Sequence, residues 1–265
     1  MNFLFRRMLN APRLLGSRIK EFSGRPGSML GLVESRCPIC HGVFALDHSG
    51  PLAAACPACR ASMPRRDAGY CPHCGELTAD PHAPCTPCGR CLNETPPWAD
   101  FRFHGVFEGA LREALHRAKF SEDSACLALL ASILDSLCRE LPEADAIVPM
   151  PLHPARLRAR GFNQCREMAR LAAHRRKLPI RDDLLLRTRS APPQTSLSRR
   201  DRLTNLNHVF AASPLAGGVR LLLVDDTATT GTSLRKGAEA LIRAGAVRVD
   251  AVVIARAGRH DTGGY

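Results

Sequence analysis

The strongest chemical signal in the chain is Leu221-Leu222-Leu223-Val224-Asp225-Asp226-Thr227-Ala228-Thr229-Thr230-Gly231-Thr232-Ser233. Four apolar residues read as a buried strand, and the acidic pair marks its carboxyl end. A hydroxyl-rich turn follows, with Gly231 allowing close backbone approach, and leads into a helix. Free amides at a helix N-terminus, the helix dipole and Thr/Ser hydroxyls together form an anion site. Two carboxylates beside it would repel a polyphosphate, but they suit a vicinal diol and, indirectly, a divalent cation. The pattern therefore calls for a ribose with a 5′-phosphate at the end of a parallel sheet. A Walker loop and a dinucleotide fingerprint are excluded, because neither G-x-x-x-x-G-K-[ST] nor G-x-G-x-x-G occurs.

The second signal is sulfur. Nine of the twelve cysteines fall between Cys37 and Cys91. They read as C-x-x-C pairs: Cys37/Cys40, Cys56/Cys59, Cys71/Cys74 and either Cys85/Cys88 or Cys88/Cys91. A C-x-x-C turn directs two thiolates at one ion, and two such turns complete a tetrahedron. Fifteen residues separate the first two pairs, which fits the spacing of four-cysteine zinc sites. Sequential pairing closes shorter loops than interleaving and is favoured for that reason. The expected ligands are Cys37, Cys40, Cys56 and Cys59 for one Zn²⁺, and Cys71, Cys74, Cys88 and Cys91 for a second. Closed all-sulfur sites are structural rather than catalytic. Iron–sulfur ligation and redox dithiols are the competing readings. Cys126, Cys138 and Cys165 stand alone and read as buried apolar thiols.

The elements that must position these groups follow from composition and periodicity. The chain has 265 residues, 45% apolar and 23% charged, which is normal for a folded chain of one or two domains. Net charge is 37 − 25 = +12, and residues 151–210 hold 14 Arg/Lys against 4 Asp/Glu, giving +10 of it. Such a balance favours phosphates or nucleic acid as partners. Arginines interrupt the apolar runs of MNFLFRRMLNAPRLLGSRIK, so no export signal is expected. No run is long enough to span a membrane. The expected compartment is the reducing cytoplasm, where the thiols are free to hold metal.

Three segments are expected. Residues 1–30 are a basic extension. Residues 31–98, rich in Cys, Pro and Gly, form a double zinc-ribbon-like segment with too little apolar sequence for a core of its own. Residues 99–265 form an α/β domain with a parallel sheet covered on both faces. Its expected elements are helices over 106–118, 124–138 and 163–174, a strand at 146–149 and another near 184–186. The final unit is strand 219–224, helix 233–244 and strand 247–255, with Gly245 as the helix stop. A Pro/Arg loop over 150–162 and a long polar loop over 188–206 complete it. The first could clamp pyrophosphate through Arg156, Arg158 and Arg160, with Arg158 and Arg160 the leading candidates, because guanidinium forks match phosphate oxygens. The second, flanked by Arg187 and carrying Gln194, Arg199 and Arg202, has the length and polarity of a lid.

The Leu221–Ser233 motif resembles the signature of type I phosphoribosyltransferases, which bind 5-phosphoribosyl 1-diphosphate. The resemblance implies that Asp225 and Asp226 take the ribose hydroxyls and Mg²⁺, and that Thr229, Thr230, Gly231, Thr232 and Ser233 take the 5′-phosphate. One departure stands out. Purine-salvage members carry an aspartate, a candidate base, where this chain has Thr229. Threonine is a poor general base near neutral pH, so no catalytic base is evident.

A wider resemblance covers residues 35–257. Phe107-Glu108-Gly109, Lys119-Phe120, Ile147–Pro154, Arg156–Gln164, Gln194–Arg202 and Cys88-Gly89-Arg90-Cys91 before Pro96-Pro97-Trp98 are similar to the ComF family. That family pairs a cysteine-rich zinc segment with a phosphoribosyltransferase-like domain and is implicated in natural competence. The implied partners are phosphoribosyl diphosphate, single-stranded DNA and other competence or DNA-processing proteins. Three roles stay open: phosphoribosyl transfer, single-strand binding, and ligand sensing without turnover.

Overall fold

The computed structural model describes residues 34–46, 50–120, 123–188 and 209–258, and all of these fall in one compact unit. Among them, β1 (Glu34–Arg36) and β2 (Val43–Ala45) form a small antiparallel ribbon around the first cysteine pair. Two short helices follow, α1 (Pro57–Ala61) and α2 (Gly89–Asn93). The α/β part then runs β3 (Phe101–Val106), α3 (Gly109–Phe120), α4 (Ser124–Cys138), β4 (Ala146–Pro149), α5 (Pro154–Arg160) and α6 (Gln164–Arg176). The hairpin strands β5 (Leu185–Arg187) and β6 (Phe210–Ala212) come next, then β7 (Arg220–Ala228), α7 (Thr232–Arg243) and β8 (Arg248–Arg256). Residues 1–30 and most of the 188–206 loop, including Gln194, Arg199 and Arg202, lie outside the described residues.

The central sheet has four parallel strands in the order β3-β8-β7-β4. Strand alternation sorts its side chains into two cores. Leu222, Val224, Val252 and Ile254 face α3, α4 and α6. Leu221, Leu223, Ala251 and Val253 face α7 and the β5–β6 hairpin. The uninterrupted apolar runs of β7 and β8 are therefore those of strands buried on both faces.

Three expectations change. The helix read from Val106 starts at Gly109, because Val106 ends β3, a strand absent from the sequence reading. The 150–162 segment contains a helix as well as loop. His153 caps α5 through its Nδ1, which accepts from the amide of Ala155 at 3.2 Å; Pro154 occupies the first turn, and Gly161 ends it in the left-handed region at φ 77°. Proline just inside the start and glycine just past the end are the usual punctuation of such a helix. Finally, β7 runs on through Ala228, so the acidic pair lies within the strand rather than after it.

β3 is the seam between the two compositional halves. Its outer edge is covered by the chain just after the first cysteine group: the Arg66 amide donates to the His104 carbonyl at 2.7 Å, and His104 Nε2 meets the Met63 carbonyl at 3.1 Å. Gly105 is required there, since a Cβ would stand 2.8 Å from the Pro64 carbonyl oxygen. On its inner face Phe103 meets Tyr70 edge-on at 5.0 Å and Phe101 packs on Trp98 at 5.7 Å. Cys37, Cys56 and Cys59 belong to one core of the α/β part, and Cys71, Cys74 and Cys91 to the other.

Candidate functional site

The site forms over the carboxyl-terminal half of β7, beyond the last residue paired with β4. Asp226 is buried, and its Oδ2 accepts from Lys119 Nζ and Gln164 Nε2, each at 3.0 Å. Asp225 Oδ1 accepts from the Asp226 amide at 2.9 Å and lies 3.4 Å from Cys165 Sγ. Lys119 comes from the last turn of α3; Gln164 and Cys165 come from the first turn of α6. That turn is fixed by Asn163, whose Oδ1 accepts from the Cys165 amide and whose Nδ2 donates to the Met150 carbonyl, both at 3.0 Å. Burial and the adjacent Asp226 charge push the Asp225 carboxyl up to about 7, the direction expected for like charges removed from water.

The turn after β7 has the form the sequence predicts. Gly231 caps α7 at φ 72°, in the left-handed region, with no side-chain cap. A helix N-terminus capped in this way suits an anion, as at other helix N-termini that hold them. Thr230 Oγ1 and Thr232 Oγ1 are 2.8 Å apart, and the Thr232 amide donates to Thr230 Oγ1 at 3.3 Å. Thr230, Thr232 and Ser233 are exposed, while Thr229 is half-buried.

A cavity of about 350 Å³ opens beside this turn. Asp225, Asp226 and Ser233 line it together with Arg156, Arg160, Arg187 and Lys119. Arg160 stacks over the Phe120 ring at 4.9 Å and donates to Gln164 Oε1 at 3.3 Å. Arg187 lies over Phe210 at 5.6 Å, and its Nε is buried without a hydrogen-bond partner among the described residues. Burial and neighbouring Arg156 pull the Arg187 pKa down, outweighing the upward pull of Asp225. Arg158 is exposed and does not line the cavity. Helical spacing explains the difference: positions 156 and 160 share a face of α5, and 158 points away.

Sequence reasoning assigned no role to Lys119 or Gln164; of the three arginines expected to clamp pyrophosphate, Arg156 and Arg160 line the cavity and Arg158 does not. A signal existed for Lys119. It follows Leu115 by four residues on the buried stripe Leu111, Leu115 and Ala118 of α3, where a lysine needs a partner.

Each group of four cysteine sulfurs, Cys37/Cys40/Cys56/Cys59 and Cys71/Cys74/Cys88/Cys91, lies within 4.8 Å. Cys40 and Cys56 sulfurs are 3.6 Å apart, and those of Cys74 and Cys88 are 3.7 Å apart. Zinc–sulfur bonds of about 2.3 Å give a tetrahedron with an edge of about 3.8 Å, whereas a disulfide needs about 2.05 Å. Both groups therefore fit Zn²⁺. Burial pushes the Cys37 and Cys88 thiols up, but hydrogen bonds from neighbouring backbone and cysteines outweigh it and bring them down to about 6 and about 7. Cys85 is exposed and belongs to neither group, so Cys91 rather than Cys85 completes the second. Cys126 and Cys138 are buried core thiols. Cys165 is buried as well, but it lies with Asp225 and Asp226 in the site.

No family model matches the chain. The chain is 32% identical over 230 residues to DNA utilization protein YhgH of Salmonella typhi, covering 84% of this chain and 98% of that protein. It is 28% identical over 238 residues to Competence protein F of Haemophilus influenzae, covering 86% and 100%. Competence protein ComFC of Bacillus subtilis is 24% identical over 227 residues, covering 81% and 92%. The chain belongs to the ComF family. Among solved structures, a phosphoribosyltransferase from Corynebacterium diphtheriae aligns with 54% of this chain and 64% of its own at 22% identity, with a TM-score of only 0.31. No described helix is long and apolar enough to cross a membrane.

Two outcomes follow from this geometry. Purified protein should carry about two Zn²⁺ per chain, falling to about one in Cys40→Ser and in Cys88→Ser, by elemental analysis. Iron with visible charge-transfer absorption would refute zinc. The second outcome is a pH dependence. A carboxyl raised from about 3.9 in the unfolded chain to about 7 when folded leaves stability unaffected below the lower value. It costs stability increasingly as pH rises towards the upper one. Asp225→Asn keeps the acceptor oxygen, so its melting temperature should match wild type at pH 4 and exceed it at pH 8.

Proposed function

We propose that the cavity at the end of β7 binds 5-phosphoribosyl 1-diphosphate with Mg²⁺, and that the chain serves the uptake and use of external DNA in the cytoplasm. The observation that carries the ligand reading is one cavity with two opposite chemistries. Its Asp225–Asp226 side leads into the Gly231-capped helix, and three guanidiniums, Arg156, Arg160 and Arg187, also line it. The carboxylates suit the ribose hydroxyls, the helix start suits the 5′-phosphate, and the arginines suit pyrophosphate. Mg²⁺ would supply charge neutralisation of the diphosphate. The DNA role comes from the relatives, whose names speak of competence and DNA utilization.

Transfer would break the bond from the anomeric carbon to pyrophosphate and form one to an acceptor. Thr229 offers no base, so an acceptor would have to be nucleophilic already. Titration calorimetry with phosphoribosyl diphosphate and Mg²⁺ should give saturable binding, and pyrophosphate release against candidate acceptors tests turnover. Arg156→Gln with Arg160→Gln should weaken binding by about 3 kcal/mol, or on the order of 100-fold, whereas Arg158→Gln should change it little. Absence of binding, and of thermal protection by the ligand, would overturn the reading.

A second reading has its own support. Arg166, Arg170, His174 and Lys177 follow one face of α6 and its cap, lining a shallow groove with Ile180. Such a stripe suits the backbone of single-stranded DNA. With about four phosphates neutralised, affinity should fall with salt at a log–log slope near −3. Arg170→Gln with Lys177→Gln should flatten that slope by more than one unit, measured by fluorescence anisotropy at several salt concentrations. An unchanged slope would move DNA off this face.

A further inference from the structure

Arg256, the last residue of β8, is 1% exposed and lines neither the cavity nor a sulfur group. Its Nη1 donates to the Ala228 carbonyl at 3.0 Å and to the Thr229 carbonyl, the two residues that open the phosphate-binding turn. Its Nη2 donates to Glu76 Oε2 at 2.9 Å. Glu76 stands two residues after Cys74, inside the knuckle of the second sulfur group. There the Cys71 amide donates to the Glu76 carbonyl at 2.8 Å and the Gly75 amide to the Cys71 carbonyl at 2.7 Å. Gly75 takes φ 69°, and a Cβ there would stand 2.5 Å from the Phe101 ring and 3.1 Å from Arg256 Cγ. Knuckle, arginine and turn are thus in direct contact, with no slack between them.

We propose that Arg256 and Glu76 are positioning residues that make the shape of turn 228–233 depend on metal in the Cys71/Cys74/Cys88/Cys91 group. The inference rests on the reading of that turn as the 5′-phosphate site. The carboxylate of Glu76 is held where the knuckle holds it, and the knuckle keeps its shape only while four sulfurs share one ion. Arg256 Nε has no partner among the described residues, so the guanidinium is oriented through its two Nη groups alone. Release of Glu76 would leave a buried cation short of its counter-charge, and the carbonyls of Ala228 and Thr229 would lose their anchor. The Cys37/Cys40/Cys56/Cys59 group is attached elsewhere. Arg117 of α3 holds the carbonyls of Pro38 and Ile39 at 2.8 and 3.0 Å, and Cys126 of α4 meets that of Pro38 at 3.5 Å. The two sulfur groups therefore differ in purpose: the first staples the chain to α3 and α4, and the second shapes the ligand turn.

The test needs a readout independent of ligand. Amide hydrogen exchange across 228–233 would be compared in full-length wild type, Glu76→Gln, Cys88→Ser and Cys40→Ser, with zinc content measured alongside. Glu76→Gln and Cys88→Ser should each speed exchange in that window at least tenfold and weaken phosphoribosyl diphosphate binding, with Mg²⁺, at least tenfold. Cys40→Ser should lose one zinc equivalent yet leave both within twofold of wild type. Should Cys88→Ser fail to fold by circular dichroism, Arg256→Lys replaces it, since lysine keeps the charge but cannot bridge both carbonyls and Glu76. Unchanged exchange in Glu76→Gln, or an equal change in Cys40→Ser, would overturn the coupling. If wild type binds no phosphoribosyl diphosphate, the ligand reading fails, while the exchange comparison still decides whether the coupling exists.

Discussion

Two adjacent carboxylates within a strand buried on both faces are the constraint around which the molecule is arranged. Desolvation alone would make such a pair costly, and mutual repulsion adds to it. The fold answers with donors from two separate helices. Lys119 and Gln164 meet at Asp226, while Asp225 takes the Asp226 amide and faces the Cys165 thiol. α3 must therefore end, and α6 must begin, beside the same strand terminus. The apolar stripes of both helices are what hold them there, through Leu111, Leu115 and Ala118 on one and Met168, Ala169 and Ala172 on the other. Hydrophobic packing sets the position, and the position makes the charged pair tolerable.

The cysteine-rich half solves a different problem. A four-stranded parallel sheet leaves β3 with an open edge, which unprotected would pair with another chain. Residues 63–66 cover it, and Gly105 lets them come close. Segments so short in apolar sequence cannot hold themselves in place by burial. Two tetrahedra of sulfur closed on metal would supply the missing rigidity locally, and their buried cysteines join the cores of the sheet.

Much of this was legible in the sequence because it rests on local chemistry. The C-x-x-C spacings indicated which sulfurs would meet, and Asp225–Ser233 indicated a strand, turn and helix, each bounded by residues with definite backbone preferences. α4 was legible because Leu130, Leu134 and Leu137 repeat with a helical period, and β4 because Ala146–Pro149 is a short apolar run closed by prolines. β3 escaped notice for the opposite reason. Phe101-Arg102-Phe103-His104-Gly105-Val106 interrupts its apolar residues with groups whose partners, Met63 and the Pro64–Arg66 backbone, lie about forty residues earlier. α5 escaped because prolines and arginines mask a helix that exists through its His153 cap and Gly161 stop. The helix matters at the site: extended chain would put Arg156, Arg158 and Arg160 on one face, whereas the helix pairs Arg160 with Arg156 and turns Arg158 away. Gln164 acts only through tertiary contacts, and although the buried stripe of α3 shows that Lys119 needs a partner, no local pattern names one that distant.

The cavity also explains why so basic a chain keeps its acids where it does. Arg156, Arg160 and Arg187 line one small space, and Arg156 lowers the pKa of Arg187 by repulsion, reinforcing the effect of burial. Asp225 and Asp226 lie close enough to attract cations, yet Asp226 is already engaged by Lys119. Asp225 offsets only part of the lowering at Arg187, where burial and Arg156 prevail. A ligand rich in negative charge at one end and in hydroxyls at the other would relieve both sides together, meeting the guanidiniums with phosphate and the carboxylates with a diol. Neither a simple polyanion nor a neutral sugar does this, because the first meets Asp225 and the second leaves the arginines repelling one another. Selectivity would then arise from the separation of charges in the cavity rather than from its total charge.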